Sequence, residues 1–262
     1  MQTLVFASHQ APPWAARCPQ ADDPSSWELR KLACSVSSSI VGISCYGLGF
    51  RPYHSSGIIL EHNGEKFILT SCYILGDRSK TPSKVTIFLC NKQGVDADIT
   101  HINVDHNIVL LRAKQQQELD ETTTARFITD LRKSGTLVSS VGRDYHYRLM
   151  ASSGTTNVRG DHLECDDLMS SSCNISEWGI GGPLVDRSGN VLGMNFFSKK
   201  GYTPFMPSNI IMKCVKHLIE IGYVSRPWLG LRTRSLEELD IDEFEAIYLK
   251  FQSTNGLVVK EV

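Results

Sequence analysis

The chain has 262 residues, 41% hydrophobic side chains and a formal net charge of −1 at pH 7, which is enough for one large domain with an apolar core. Its 27 basic and 28 acidic residues nearly balance, so composition gives no support for a nucleic-acid or anionic-membrane surface. No stretch approaches the roughly 18–20 consecutive apolar residues of a membrane span. Composition therefore favours a globular protein.

The N-terminal segment contains no Asp or Glu before Asp22. This composition is weakly similar to that of an organelle transit peptide, but the simpler expectation is a disordered leader over residues 1–35. The eight cysteines contain no Cys-x-x-Cys pair, a usage typical of reduced thiols in an intracellular protein. We therefore expect a cytoplasmic or nuclear location, with a chloroplast or mitochondrion as the alternative.

No metal or cofactor site is expected from the sequence. His162 and Cys165 have the spacing of half a metal site. A second pair of ligands is not visible, so chance explains the spacing better.

Short β-type runs separated by turn residues begin near Val36 and form two groups of about six. The Asn63-Gly64 pair between two apolar runs predicts a tight hairpin. Two groups of this size indicate two β-barrels or a sandwich. The predicted strands cover residues 39–47, 55–75, 84–90, 96–104, 107–113, 135–142, 148–158, 162–169, 182–186 and 190–197.

A polar linker over 115–131 separates the two groups, and a helix follows the second. Ser208 is the predicted N-cap of this helix, and Gly222 ends its apolar repeat. Beyond it, residues 237–251 form an acidic amphipathic segment, and residues 256–259 form a final strand.

The segment from Trp178 to Asp186 reads W-G-I-G-G-P-L-V-D. It resembles the nucleophile loop of trypsin-like serine proteases, written G-N-S-G-G-P-L, with isoleucine in the place of serine. Together with SSGIIL at 55–60, GGPLVDRSGNVLGMNF at 181–196 and RPWLGL at 226–231, it makes the chain similar to the HtrA/Deg (Do-like) family, in a form like that of plant paralogues.

The resemblance implies an all-β fold, a trypsin-like double β-barrel (chymotrypsin fold) with a C-terminal helix. It assigns residues 36–224 to the protease domain. Residues 225–262 would be a truncated, partial PDZ-like segment.

The same resemblance implies that the catalytic triad is degenerate. The family's T-N-A-H-V-V segment matches residues 70–75, which places Tyr73 at the histidine position. Its D-L-A-L-L-K segment matches residues 107–112, which places Asn107 at the aspartate position, and Ile180 takes the serine position. The oxyanion-hole amides would be those of Ile180 and Trp178. No catalytic residue is therefore expected.

Rescue by neighbouring side chains is a weaker interpretation. Cys72, Cys173 and His106 could in principle form a Cys/His pair, but buried thiols and an exposed imidazole are the simpler expectation. The sequence thus predicts an inactive serine-protease homologue that acts through protein or peptide binding. The expected partner is a protein or peptide. The chain is also expected to form homo-oligomers, or hetero-oligomers with HtrA-like paralogues such as active Deg-type proteases. The alternative is an active serine-type endopeptidase-like hydrolase with a non-standard site.

Overall fold

A computed structural model describes residues 24–47, 52–76, 84–128, 135–157, 167–196, 202–224, 232–236 and 239–261. The chain divides into two compact units, residues 1–223 and 224–262. The domain boundary expected from sequence, between residues 224 and 225, differs from this division by one residue. The candidate pair His162 and Cys165 and the RPWLGL junction lie outside the described residues.

The first half of the larger unit is a closed six-stranded barrel in the order β1-β2-β3-β6-β5-β4, with antiparallel neighbours. Apolar residues that alternate along the strands fill its interior, among them Ile43, Ile68 and Ile87. The strands are β1 (Ile40–Tyr46), β2 (Tyr53–His62), β3 (Glu65–Thr70), β4 (Lys84–Phe88), β5 (Gly94–Asn103) and β6 (Ile108–Ala113).

The predicted hairpin between β2 and β3 is confirmed. Asn63 and Gly64 both have positive φ, 52° and 80°, as a type I′ turn requires. This turn sets the register in which Glu65 faces His62.

The second barrel is also closed and six-stranded, in the order β10-β11-β12-β9-β8-β7. Val138, Leu184, Leu192 and Phe205 lie in its core. Two closed barrels confirm the predicted double barrel and exclude the sandwich. The strands are β7 (Leu137–Arg143), β8 (Leu149–Asn157), β9 (Met169–Ser171), β10 (Pro183–Val185), β11 (Val191–Asn195) and β12 (Thr203–Pro207).

Two helices flank the barrels. Helix α1 spans Pro24–Val36 and buries Leu29 and Ala33, so the expectation of a disordered leader is wrong for residues 24–35. Helix α2 spans Ser208–Ile221 and follows β12 directly.

The two predicted ends of α2 have different outcomes. Gly222 takes the left-handed conformation with φ 90° and closes the C-terminus, as expected. The expected N-cap role of Ser208 is wrong. Pro207 holds the N-cap position, and the Ser208 hydroxyl donates instead to the Ile128 carbonyl.

The smaller unit contains a two-stranded antiparallel sheet of β13 (Arg232–Ser235) and β14 (Leu257–Glu261), and the helix α3 (Ile241–Phe251). Leu236 and Leu239 are buried, whereas Phe251 is 64% exposed. An isolated pair of strands is marginally stable at best.

No described helix is both long and apolar enough to cross a membrane. Among the six cysteines in the described ranges, no disulfide is formed.

Arg143, at the end of β7, is 3% exposed and joins the second barrel to the start of the first. Its Nε donates to the Ile40 carbonyl at 2.7 Å, and its Nη2 donates to the Ser37 carbonyl at 2.9 Å. Nη1 donates to the Tyr147 carbonyl at 3.2 Å. Within the described part of the chain, no carboxylate pairs with this guanidinium. Carbonyl dipoles therefore compensate the buried charge.

We expect Arg143→Met to lower the free energy of unfolding by about 3 kcal/mol, because it leaves three carbonyls without their charged donor. The matched control is Arg148→Met, which removes a 64% exposed side chain paired with Asp144 and should cost less than about 1 kcal/mol. Equilibrium denaturation in urea measures both. Equal effects would show that the buried guanidinium does not join the barrels.

Candidate functional site

The loop that carries Ile180 lies between the barrels, against strand β2 of the first. The Ser56 N–H donates to the Ile180 carbonyl at 2.9 Å. The Ser56 hydroxyl donates to the Trp178 carbonyl at 2.7 Å and accepts the Arg143 N–H at 2.8 Å. One serine of the first barrel therefore fixes both ends of the segment from Trp178 to Ile180.

Gly181 cannot be replaced without moving this loop. Its φ is +78°, and a Cβ would lie 2.4 Å from Thr70 Oγ1 and 2.5 Å from the Ser56 carbonyl oxygen. Asn195 holds the loop from the other side. Its carbonyl accepts the Gly181 N–H and its N–H donates to the Gly182 carbonyl, both at 2.9 Å.

Ser56, Arg143 and Asn195 were not predicted as functional residues, although Ser56 and Asn195 lie in the motifs SSGIIL and GGPLVDRSGNVLGMNF. The contacts of Ser56 with Trp178 and Arg143 join residues far apart in the chain, which no local pattern specifies.

Ile180 is 2% exposed, so its side chain belongs to the core. Residues Glu177–Gly179 form one turn of 3₁₀-helix, and the Ile180 N–H donates to the Glu177 carbonyl at 3.3 Å. A backbone amide engaged in this way does not present its hydrogen to a bound oxygen. Trp178 is partly exposed, and its indole lies 5.3 Å from the Tyr145 ring.

Asn107 lies directly before β6 in the left-handed conformation, with φ 55°. Its Oδ1 accepts hydrogen bonds from the Ser71 hydroxyl and from the Cys72 N–H, each at 2.9 Å. The side chain thus holds the backbone immediately before Tyr73. The structure brings the segments of Asn107 and Tyr73 together, as the resemblance implies.

Tyr73 lies in the 3₁₀ turn Cys72–Leu75, and its N–H donates to the Ser71 hydroxyl at 3.1 Å. Its ring meets the Tyr53 ring edge-on, with centroids 5.9 Å apart and planes at 90°. Burial, the nearby Glu177 carboxylate and Tyr53 together raise the pKa of the Tyr73 phenol. The phenol therefore stays protonated at pH 7.

The two thiols of Cys72 and Cys173 lie in the cores of different barrels. Cys72 Sγ donates to the carbonyls of Asn103 and Ile108, each at 3.6 Å. Cys173 lies in the core of the second barrel, where burial raises the pKa of its thiol. Both thiols are buried, as predicted.

His106 departs from that expectation. It is only 4% exposed, with Nδ1 at 2.7 Å from Asn103 Oδ1. The prediction of an exposed imidazole is wrong, because the turn before β6 folds the ring inward onto Asn103.

Comparison with known proteins agrees with this geometry. The model of the trypsin-like peptidase domain matches residues 55–194. The chain belongs to the trypsin-like peptidase family. Putative protease Do-like 14 of Arabidopsis thaliana is 24% identical over 83% of this chain and 54% of its own length. Serine protease Do-like HtrA of Bacillus subtilis (strain 168) is 22% identical over 91% of this chain and 56% of its own length. The predicted resemblance to HtrA/Do-like proteases is confirmed.

Solved structures show the same fold. A serine endoprotease from Yersinia pestis aligns with a TM-score of 0.64 at 19% identity, over 78% of this chain and 71% of its own. The HtrA-type protease AlgW with a tripeptide aligns with a TM-score of 0.65 at 18% identity, over 83% of this chain and 71% of its own. The chain spans about half the length of the curated relatives it matches.

The close approach at Gly181 gives a test of the loop. Gly181→Ala should destabilise the protein by more than about 3 kcal/mol, because left-handed strain adds to a backbone clash. Gly64→Ala is the control, since Gly64 has φ +80° and open space around its Cβ position; it should cost only about 1–2 kcal/mol. Thermal unfolding followed by calorimetry measures the difference. Equal costs would contradict the packing described for Gly181.

Proposed function

We propose that this chain is a catalytically inactive member of the trypsin-like peptidases that acts by binding a protein or peptide. The observation that carries the proposal is the contrast at the inter-barrel site. Hydrogen bonds to Ser56 and Asn195 hold the backbone of the loop, while Tyr73, Asn107 and Ile180 occupy the positions that the resemblance assigns to the triad. A protease of this class needs a histidine base, an aspartate and a serine nucleophile.

The three side chains support inactivity by separate chemical arguments. Ile180 has no lone pair with which to attack a carbonyl, and loss of the nucleophile costs on the order of 10⁶ in turnover, roughly 8 kcal/mol of barrier. Tyr73 has a pKa raised further above its usual value of about 10, so it is no base at neutral pH. Asn107 offers an uncharged amide, which cannot stabilise an imidazolium.

The oxyanion hole gives a fourth argument. In the positions assigned by the resemblance, its donors are the amides of Ile180 and Trp178. The Ile180 amide donates to the Glu177 carbonyl, so a carbonyl oxygen of the protein takes the place of a developing oxyanion.

The proposed partners are peptides, and active Deg-type proteases in mixed oligomers. The proposed location is intracellular. The proposal of mixed oligomers rests on analogy with the family. Capture of the tagged chain from cells, followed by mass spectrometry, tests the association with active relatives.

A second candidate function rests on a serine–histidine contact away from the triad positions. Ser44 Oγ lies 2.8 Å from His54 Nδ1 and 2.9 Å from the Tyr147 hydroxyl. Burial lowers the pKa of His54, which keeps the imidazole neutral and able to accept a proton. Ser44 is 0% exposed, however, and the Tyr147 ring stacks on Phe88 at 3.6 Å. The hydroxyl is therefore closed to a peptide carbonyl.

A fluorophosphonate probe distinguishes the two functions. We expect no stoichiometric labelling of the purified chain and no digestion of casein over many hours. A serine protease of the same family treated in parallel serves as the positive control. Heat-sensitive labelling that disappears in Ser44→Ala, with matching proteolysis, would establish the second candidate and overturn the first.

Restoring the three triad side chains tests whether the loop still forms an oxyanion hole. Tyr73→His, Asn107→Asp and Ile180→Ser together should give only weak peptidase activity, because the amide at position 180 stays paired with Glu177. Adding Trp178→Gly should raise kcat on the order of 10²-fold by letting the loop present both amides. The control with Tyr73→His and Asn107→Asp alone should stay inactive. Full activity of the triple variant would show that the oxyanion hole is intact.

A further inference from the structure

The sequence contains two Asn-Gly pairs, Asn63-Gly64 and Asn255-Gly256. In such a pair the glycine nitrogen can attack the amide carbon of the asparagine side chain, because the glycine has no Cβ to shield its nitrogen. The attack requires the backbone to turn until the two atoms meet. The reaction rate in the folded protein therefore depends on how firmly the local structure holds each pair.

The pair Asn63-Gly64 is held firmly. Asn63 has φ 52° and Gly64 has φ 80° in the turn between β2 and β3. These strands pair through five residues each, starting from His62 opposite Glu65, and both belong to the closed first barrel. The turn and the start of the ladder must both be disturbed before the Gly64 nitrogen can reach the side chain of Asn63.

The pair Asn255-Gly256 is held by weaker structure, in the connection between α3 and β14. Both residues are exposed. The Ser253 hydroxyl donates to the Asn255 carbonyl at 2.8 Å and accepts the Asn255 N–H at 3.4 Å, so these contacts reach only two residues along the chain. Strand β14 pairs with β13 in a two-stranded sheet, an arrangement that is marginally stable by itself. The backbone at Asn255 can therefore turn at a smaller free-energy cost than the backbone at Asn63.

The conformation at position 256 favours glycine. Its φ is 156°, and a Cβ there would lie 3.3 Å from Leu236 Cδ1. The Gly256 carbonyl accepts the Leu236 N–H at 3.0 Å, a bond that holds the start of β14 beside the end of β13. The same glycine that suits this strand entry thus leaves Asn255 open to attack.

We propose that Asn255 is a site of spontaneous deamidation, with water as the co-reactant. The Gly256 nitrogen forms a bond to Asn255 Cγ, the Cγ–Nδ2 bond breaks, and ammonia leaves with the proton of the Gly256 amide. Water then opens the resulting succinimide at either carbonyl and leaves aspartate or isoaspartate at position 255. No oxidant or reductant takes part. Either product adds a negative charge to the smaller unit.

Isoaspartate has a further structural effect. Its main chain runs through the side-chain carbons, so the backbone gains a methylene between positions 255 and 256. That insertion displaces Gly256 from Leu236 and Leu257 from its partner Ser235. The register of a strand pair depends on such spacing. The modification therefore loosens the pairing of β13 with β14.

The experiment incubates the purified full chain at mildly alkaline pH for several days and compares the two pairs within one molecule. Peptide mass spectrometry quantifies asparagine, aspartate and isoaspartate at positions 63 and 255. In the native chain, Asn255 should deamidate about tenfold faster than Asn63. In guanidinium chloride the two rates should approach each other, because the local structure that separates them is lost.

Two variants separate the chemistry from its consequence. Asn255→Gln keeps the amide but would have to close a larger, less favoured ring, so modification at position 255 should cease. Asn255→Asp adds the charge without the extra methylene. Hydrogen exchange in β14 should be faster in the isolated isoaspartate form than in Asn255→Asp.

Equal rates at Asn63 and Asn255 in the native chain would overturn the inference. So would an Asn255 that stays intact in the native chain while the denatured chain reacts. Equal hydrogen exchange in the isoaspartate form and in Asn255→Asp would overturn the proposed loosening of the sheet. The inference is independent of the proposed binding function, which the fluorophosphonate probe and the capture experiment test separately.

Discussion

The contact between Ser56 and the loop of Ile180 is the constraint on which the inter-barrel site depends. Through its N–H and hydroxyl, this one residue holds the Ile180 and Trp178 carbonyls and the Arg143 amide. Its own carbonyl accepts the Thr70 hydroxyl at 2.8 Å. Such buried polar groups must all be paired, since each unpaired one costs about 1–3 kcal/mol. A different conformation of the loop would leave several of these groups unpaired.

The bonds that fix the loop are made by backbone atoms of the loop, and the side chain at position 180 takes no part in them. Ile180 fills buried space instead, where an aliphatic side chain contributes about 1.5–3 kcal/mol relative to exposure. The Gly-Gly-Pro-Leu sequence is required for the same structural reason: Gly181 lies against Thr70 and Ser56, and Leu184 is fully buried in the second barrel. These structural requirements hold whatever side chain stands at position 180.

The sequence predicted what local patterns specify and missed what distant contacts specify. Alternating apolar residues and the Asn63-Gly64 turn were sufficient for the barrels. Strand β12 was not predicted because it contains Pro204 and Pro207, and proline within a run argues against a central strand. The strand is nevertheless paired on both edges, with β11 and β9. Helix α1 was missed because few of its residues are buried. Tyr73, Asn107 and Ile180 could be assigned only by resemblance, since no local pattern marks their positions.

The side chains at the proposed triad positions are electrostatically consistent with one another. Asn107 Oδ1 accepts two hydrogen bonds, a task that an aspartate oxygen would perform equally well. A half-buried aspartate at position 107 would add a negative charge where position 73 carries a phenol and not an imidazolium. The amide keeps the hydrogen bonds and removes that charge. With a protonated phenol at position 73, an amide at position 107 and a hydrocarbon at position 180, none of the three side chains carries a charge at pH 7.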